Sequence, residues 1–130
     1  MISFYLESDS GLPTYLQLVR QVEHSIRLGR LAPGDQLPSV REVVAALAIN
    51  PNTVSKAYRE LENHGLLELR QGRGSFISAG VVSVPLKVYT SLNRKMRRWL
   101  DEAVSSGMSH EDVKALINSA LREIFIEEVA

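Results

Sequence analysis

Asn52, Ser55, Lys56 and Arg59 recur at i, i+3, i+4 and i+7, which places them on one face of a helix. Val54, Ala57, Tyr58 and Leu61 fall on the other face. An amide can pair in two places with the edge of an adenine, and a guanidinium or ammonium with a guanine. Each good pair carries about 1–3 kcal/mol of discrimination. Arg41 lies a short distance upstream, at the start of another helical pattern, where it can reach a phosphate or a base. Downstream, Gln71-Gly72-Arg73-Gly74 is a tight turn that can bring Gly72 against a sugar-phosphate backbone and Arg73 into a minor groove. Each of these has a plainer counterpart: a solvated helix face, a surface ion pair, a hairpin turn made of the residues such turns need. The elements around them decide between the two.

Those elements are marked by strong local punctuation. Ile2 to Leu6 is a short extended start, followed by the turn-prone Ser8-Asp9-Ser10-Gly11. From Pro13, the apolar residues Tyr15, Val19, Val22 and Ile26 trace one helix face, with Gly29 as the stop and Pro33-Gly34-Asp35 as a turn. Ser39 followed by Glu42 is a capping box, in which each side chain satisfies a free backbone N–H at the other position. The buried face of the short helix it opens is Val40, Val43, Val44 and Leu47. Asn50-Pro51 then starts a second helix that runs to about His64, with Gly65 closing it. Leu66, Leu67 and Leu69 read as a strand, and Ser75 to Ile77 as its return. Two short helices joined by a tight turn and followed at once by a β-hairpin form a winged helix-turn-helix. In that setting the polar face of the second helix is the one expected to enter a major groove.

The character changes from about Pro85. Pro85, Tyr89, Leu92, Met96, Trp99 and Ala103 are spaced alternately by four and three, a heptad-like seam, and Gly107 ends that helix. Ser109 with Asp112 caps another helix, whose stripe is Val113, Leu116, Ile117, Ala120, Leu121, Ile124 and Phe125. Tyr89, Met96 and Trp99 suit either a small-molecule pocket or a helix–helix contact. A two-helix hairpin cannot bury both of its faces alone, so a partner chain is the natural cover. The expected dimerisation set is Tyr89, Leu92, Met96, Trp99, Ala103, Ile117, Leu121 and Ile124.

Composition bounds the function classes. The chain has 130 residues, 45% hydrophobic and 23% charged, with no cysteine, which excludes disulfides, a thiol nucleophile and thiolate metal sites. His24, His64 and His110 are far apart and fit no metal or triad spacing. No paired carboxylates stand out, so no enzyme, metal or cofactor is expected. The longest apolar run, Val43 to Ile49, is far short of the ~20 residues that span a bilayer, and the first residues carry Glu7 and Asp9 and lack a basic leader. A cytoplasmic protein without a membrane partner is the expectation. Net charge is zero, against the basic balance usual for nucleic-acid binders, but it is unevenly spread. Lys87, Arg94, Lys95, Arg97 and Arg98 form an acid-free run, whereas Asp101, Glu102, Glu111, Asp112, Glu123, Glu127 and Glu128 dominate the end.

The stretch PGDQLPSVREVVAALAINPNTVSKAYRELENHGLLELRQGRGSFI resembles the winged-helix domain of the GntR family of bacterial transcription regulators. Its LPSVRE and NPNTVSKAYRELE elements are similar to the YtrA-type subfamily, whose members carry a short two-helix tail. The likeness runs from about Pro13 to Ile77 in sequence. It implies DNA contacts by Arg41, by Asn50, Asn52, Thr53, Ser55 and Lys56, and by Gln71, Gly72 and Arg73. Pro51 and Ser55 stand where many family members carry Arg. The resemblance also implies a repressor, often of a transporter operon and of its own gene.

The expected fold is therefore mostly α with a small β-hairpin. A winged helix-turn-helix domain covers residues 1–80, with the helix-turn-helix at about 39–64 and the wing at 66–78, and a C-terminal two-helix dimerisation hairpin covers 81–130. The expected activity is sequence-specific binding of double-stranded DNA at a palindromic operator by a homodimer, with any small-molecule effector unspecified. The alternative is a winged-helix protein–protein interaction module, favoured by the zero net charge.

Overall fold

Among the described residues, five helices and one β-hairpin follow the order the punctuation predicts. The computed structural model describes residues 2–81 and 84–126; Glu127 and Glu128 of the acidic tail lie outside them. The chain divides into two compact units between Tyr89 and Thr90, inside the fourth helix.

In the first unit, α1 (Thr14–Arg27) starts on Pro13, whose carbonyl accepts the Leu16 and Gln17 N–H groups, and stops at Leu28 ahead of left-handed Gly29. Its buried residues are Leu18, Val19, Val22 and Ile26. Tyr15, expected on the core face, is only half-buried, and Leu18 takes a place in the core that the four-three-four count omits. The helix packs broadly on α3, so its buried stripe is wider than one line of residues.

The Ser39–Glu42 capping box forms as read. Glu42 N–H donates to Ser39 Oγ at 3.1 Å and Ser39 N–H to Glu42 Oε1 at 3.1 Å, opening α2 (Val40–Leu47). Only Val43 of the four expected core residues is fully buried. Val40, Val44 and Leu47 are half-buried at the margin of the core, because an eight-residue helix lying against α3 can seat little more than one turn deeply. Ala48 turns the chain in the left-handed region at φ 54°, a conformation that costs a non-glycine residue about 1 kcal/mol or more. Asn50 then caps α3 (Pro51–Asn63) by accepting the Asn52 N–H on Oδ1 at 2.8 Å. Val54, Ala57, Tyr58 and Leu61 are buried, as the periodicity requires.

Strands β1 (Leu67–Arg70) and β2 (Gly74–Ile77) pair antiparallel, with Leu67 opposite Ile77 and Arg70 opposite Gly74. Leu67 and Ile77 reach the core, whereas Leu69, on the same face of the strand as Leu67, is 65% exposed. The outer half of the hairpin therefore projects beyond the core. A bridge between Gln36 and Phe76, with Leu37 N–H donating to Ser75 O and Ile77 N–H to Asp35 O, adds a third short edge that the sequence pattern does not reveal.

The extended start joins no sheet. Two glutamines one turn apart on α1 act as its partner strand: Gln21 both accepts from Tyr5 N–H (3.1 Å) and donates to Tyr5 O (2.8 Å), and Gln17 does the same at Glu7 (2.8 and 3.0 Å). Ile2 and Phe4 pack against the core.

The second unit is built from α4 (Leu86–Ser105), most of which it contains, and α5 (His110–Ile124). Gly107, at φ 95°, ends the first, and a Ser109–Asp112 capping box opens the second. The Ser109 N–H that donates to the Asp112 carboxylate, together with the Ser109 hydroxyl, holds that carboxyl below the ordinary Asp range. Ala103 is the one buried residue of α4, and α5 has none among its described residues.

Candidate nucleic-acid interface

The buried face of α3 fixes which side of that helix meets solvent. With Val54, Ala57, Tyr58 and Leu61 in the core, Asn52, Lys56 and Arg59 are exposed, and Thr53 and Ser55 are half-buried along its margins. Arg41 is exposed in the first turn of α2. The rest of the candidate set forms the hairpin tip, where Gln71, Gly72 and Arg73 are all exposed, Gly72 takes φ 75°, and Arg73 N–H closes the turn onto Arg70 O at 2.9 Å.

Two of the candidates have partners within the fold. Asn50 spends its side-chain oxygen on the α3 cap, leaving its amide N–H groups for any outside acceptor. The Lys56 ammonium lies 4.0 Å from the centroid of the Tyr15 ring, a cation–π contact that ties the exposed side of α3 to the first turn of α1. Nothing in the sequence signals this pairing, since Tyr15 reads as a core residue.

The placement of α2 against α3 rests on Tyr58. Its hydroxyl donates to Pro38 O, just before the α2 cap, and both residues are buried. Burial, with a smaller contribution from the nearby Glu42 charge, pushes the Tyr58 phenol well above its usual range. Tyr58→Phe is expected to cost about 1–3 kcal/mol, since it leaves the Pro38 carbonyl buried without a donor. The pH dependence has a definite sign. The unfolded phenol ionises near pH 10 while the folded one keeps its proton, so this residue's stabilisation is complete below about pH 10 and is lost as pH rises further. Denaturant midpoints measured between pH 8 and 11 should fall less steeply in Tyr58→Phe; equal slopes would remove Tyr58 from the alkaline response.

The wing is braced from outside. Gln36 Nε2 donates to Arg73 O at 2.9 Å, and the Arg70 guanidinium stacks 4.2 Å from the Phe76 ring while facing Glu68 at 3.7 Å. Gln36 lies 37 positions from Arg73, with no periodic or motif signal to link them.

The expected dimerisation residues separate on the structure. Leu92, Met96, Trp99, Leu121 and Ile124 are exposed, Ile117 and Tyr89 are half-buried, and Ala103 is buried. Trp99, Leu116, Ile117, Ala120, Leu121 and Ile124 surround an apolar groove of about 430 Å³. Among the described residues, no group of three or more His, Cys, Asp or Glu side chains could hold a metal ion, and no helix is long and apolar enough to cross a membrane.

Known proteins match this arrangement. The family model described as bacterial regulatory proteins, gntR family, matches residues 14–77, from the start of α1 to the end of the wing. The HTH-type transcriptional repressor YtrA of Bacillus subtilis (strain 168) is 34% identical over 116 residues, covering 85% of this chain and 89% of that protein. The transcriptional antiterminator from Listeria monocytogenes EGD-e aligns at a TM-score of 0.58 and 30% identity, covering 95% of this chain and 92% of its own. YtrA from Sulfolobus acidocaldarius, a GntR-family transcription factor, aligns at 0.55 and 32% identity, covering 75% and 97%.

Proposed function

The chain belongs to the GntR family of bacterial regulatory proteins, a family of DNA-binding helix-turn-helix regulators, and from that premise we propose that it is a YtrA-type repressor that binds a palindromic operator as a homodimer. The observation that carries this reading is the division of α3: a buried apolar face that fixes the helix and an exposed Asn52–Lys56–Arg59 face, with Arg41 on α2 and the Gln71-Gly72-Arg73 tip of the wing exposed as well. On this reading α3 lies in the major groove, where Asn52, Ser55 and Arg59 meet base edges and Thr53 and Asn50 meet the backbone. Arg41 and Lys56 hold phosphates, and the Gln71-Gly72-Arg73 tip follows the minor groove. Two copies paired through the α4–α5 apolar face present two recognition helices to half-sites about one helical turn, ~10 bp, apart or a multiple of it. The similarity to a protein named as a repressor supports repression, and the chain's own upstream region, with a transporter operon, is the proposed target.

The test is a titration on DNA from upstream of the gene, with scrambled competitor, at two salt concentrations. Saturable binding that survives competitor and weakens steeply with salt is the expected result. Arg41→Ala and Lys56→Ala should each weaken binding and lower the salt slope by about 1, leaving the oligomeric state unchanged. Unchanged affinity in both variants would remove this face from the interface.

Zero net charge favours one other reading, a winged-helix module that binds a protein. Absence of a retarded band at every salt concentration would support it over the first.

A further inference from the structure

We propose that Gln36 is a positioning residue for DNA recognition: its side-chain amide sets where the wing presents Arg73. The inference rests on the reading of the wing as a minor-groove contact and adds a residue to it that does not itself touch DNA.

The geometry has three parts. First, the hairpin tip lies beyond the core, with Leu69 65% exposed, so packing does not fix it. A two-stranded ribbon without packing is only marginally rigid. Second, the segment carrying Gln36 runs alongside β2 as a third edge: it bridges Phe76, and its neighbours bond Ser75 O and Ile77 N–H on either side. This anchors the Gln36 backbone to the base of the wing. Third, the side chain reaches further out, and Nε2 donates to Arg73 O at 2.9 Å. The carbonyl of the residue that would enter the groove is thus tied to the body of the domain.

Gly74 completes the device. It has φ +123°, and a Cβ there would lie 2.7 Å from Gln36 Nε2. Any side chain at position 74 would displace the amide that holds Arg73. The glycine therefore leaves room for the brace as well as allowing the chain to turn. Position 36 needs a donor of this length, and a side chain of equal length without one leaves the Arg73 carbonyl to water.

The experiment compares four full-length proteins on the operator: wild type, Gln36→Met, Arg73→Ala, and the double variant. Methionine keeps the length of the side chain and removes the donor. If Gln36 acts through Arg73, Gln36→Met weakens binding about three- to tenfold, the worth of one net hydrogen bond, and adds nothing in the Arg73→Ala background. It also lowers discrimination between A·T and G·C pairs where the wing meets the minor groove, which a loss of general stability would not do. In the free protein, ¹⁵N relaxation should show greater motion of residues 71–73 in Gln36→Met with the Leu67–Ile77 end of the ladder unchanged. That readout stands even if the variant proves less stable.

Wild-type affinity and wild-type wing motion in Gln36→Met would overturn the inference while leaving the wing contact intact, provided Arg73→Ala alone weakens binding. Equal and independent losses in the two single variants would also overturn it. If Arg73→Ala binds like wild type, the minor-groove reading fails, and the role of Gln36 fails with it.

Discussion

A chain ended at Pro85, lacking α4 and α5, is expected to sediment as a monomer and to bind the full operator about 10²–10⁴-fold more weakly than the intact protein. The loss comes from avidity. Once one winged helix of a linked pair is bound, the second meets its half-site at a high effective concentration, and an unlinked domain has no such advantage. Binding to an isolated half-site should change little, because Arg41, the α3 face and the wing all lie outside the deleted segment. The expectation rests on the surface of the second unit. Leu92 is 58% exposed, Leu121 48% and Ile124 72%, in a hairpin whose only buried residue among those described is Ala103. Large apolar side chains left together in water mark an interaction surface. A dimer that persists after truncation would move the interface elsewhere.

Leu61→Ala should be the most damaging single substitution in the DNA-binding unit. Leu61 is fully buried, belongs to α3, and packs in the cluster that includes Leu18, Val22, Leu37 and Ile77. Truncating it removes apolar burial and leaves a cavity, at about 2–5 kcal/mol. Domains of this size are stable by only about 5–15 kcal/mol, so much of the margin is lost. The melting temperature should drop by about 10 °C or more, since each kcal/mol is worth roughly 4–8 °C here. Thermal melts by circular dichroism measure this. A fall of only 1–2 °C would mean that the α1–α3 contact closes over the gap. Because α3 carries the proposed recognition face, operator binding should vanish near the new midpoint and remain normal well below it.

How much was legible depended on how far apart in sequence the cooperating groups lie. The helix caps at Ser39–Glu42 and Ser109–Asp112 each join residues three positions apart and formed as read, because a helix start is a local hydrogen-bonding problem. Asn50, Gly65 and Gly107 punctuated the helices for the same reason. The division of α3 into buried and exposed faces followed from its 3.6-residue repeat, which fixes the direction of each side chain. Direction is not depth, however. Val40, Val44 and Leu47 face the core correctly yet stay half-buried, because depth depends on what lies opposite.

The sequence by itself thus determined the order of elements, the helix boundaries within a residue or two, the winged-helix topology and the side of α3 left free. The tertiary structure alone decided how the exposed groups are held. Gln36 reaches Arg73 across 37 positions, Tyr58 reaches Pro38 across 20, and the arm at Tyr5 is latched by Gln21 across 16. Lys56 meets Tyr15 between helices that are separate in the chain. In each case one side chain satisfies a distant group, and such a pairing leaves no periodic trace. Local backbone hydrogen bonding and apolar periodicity are written along the chain; the bracing of one element by another exists only after the core has brought them together.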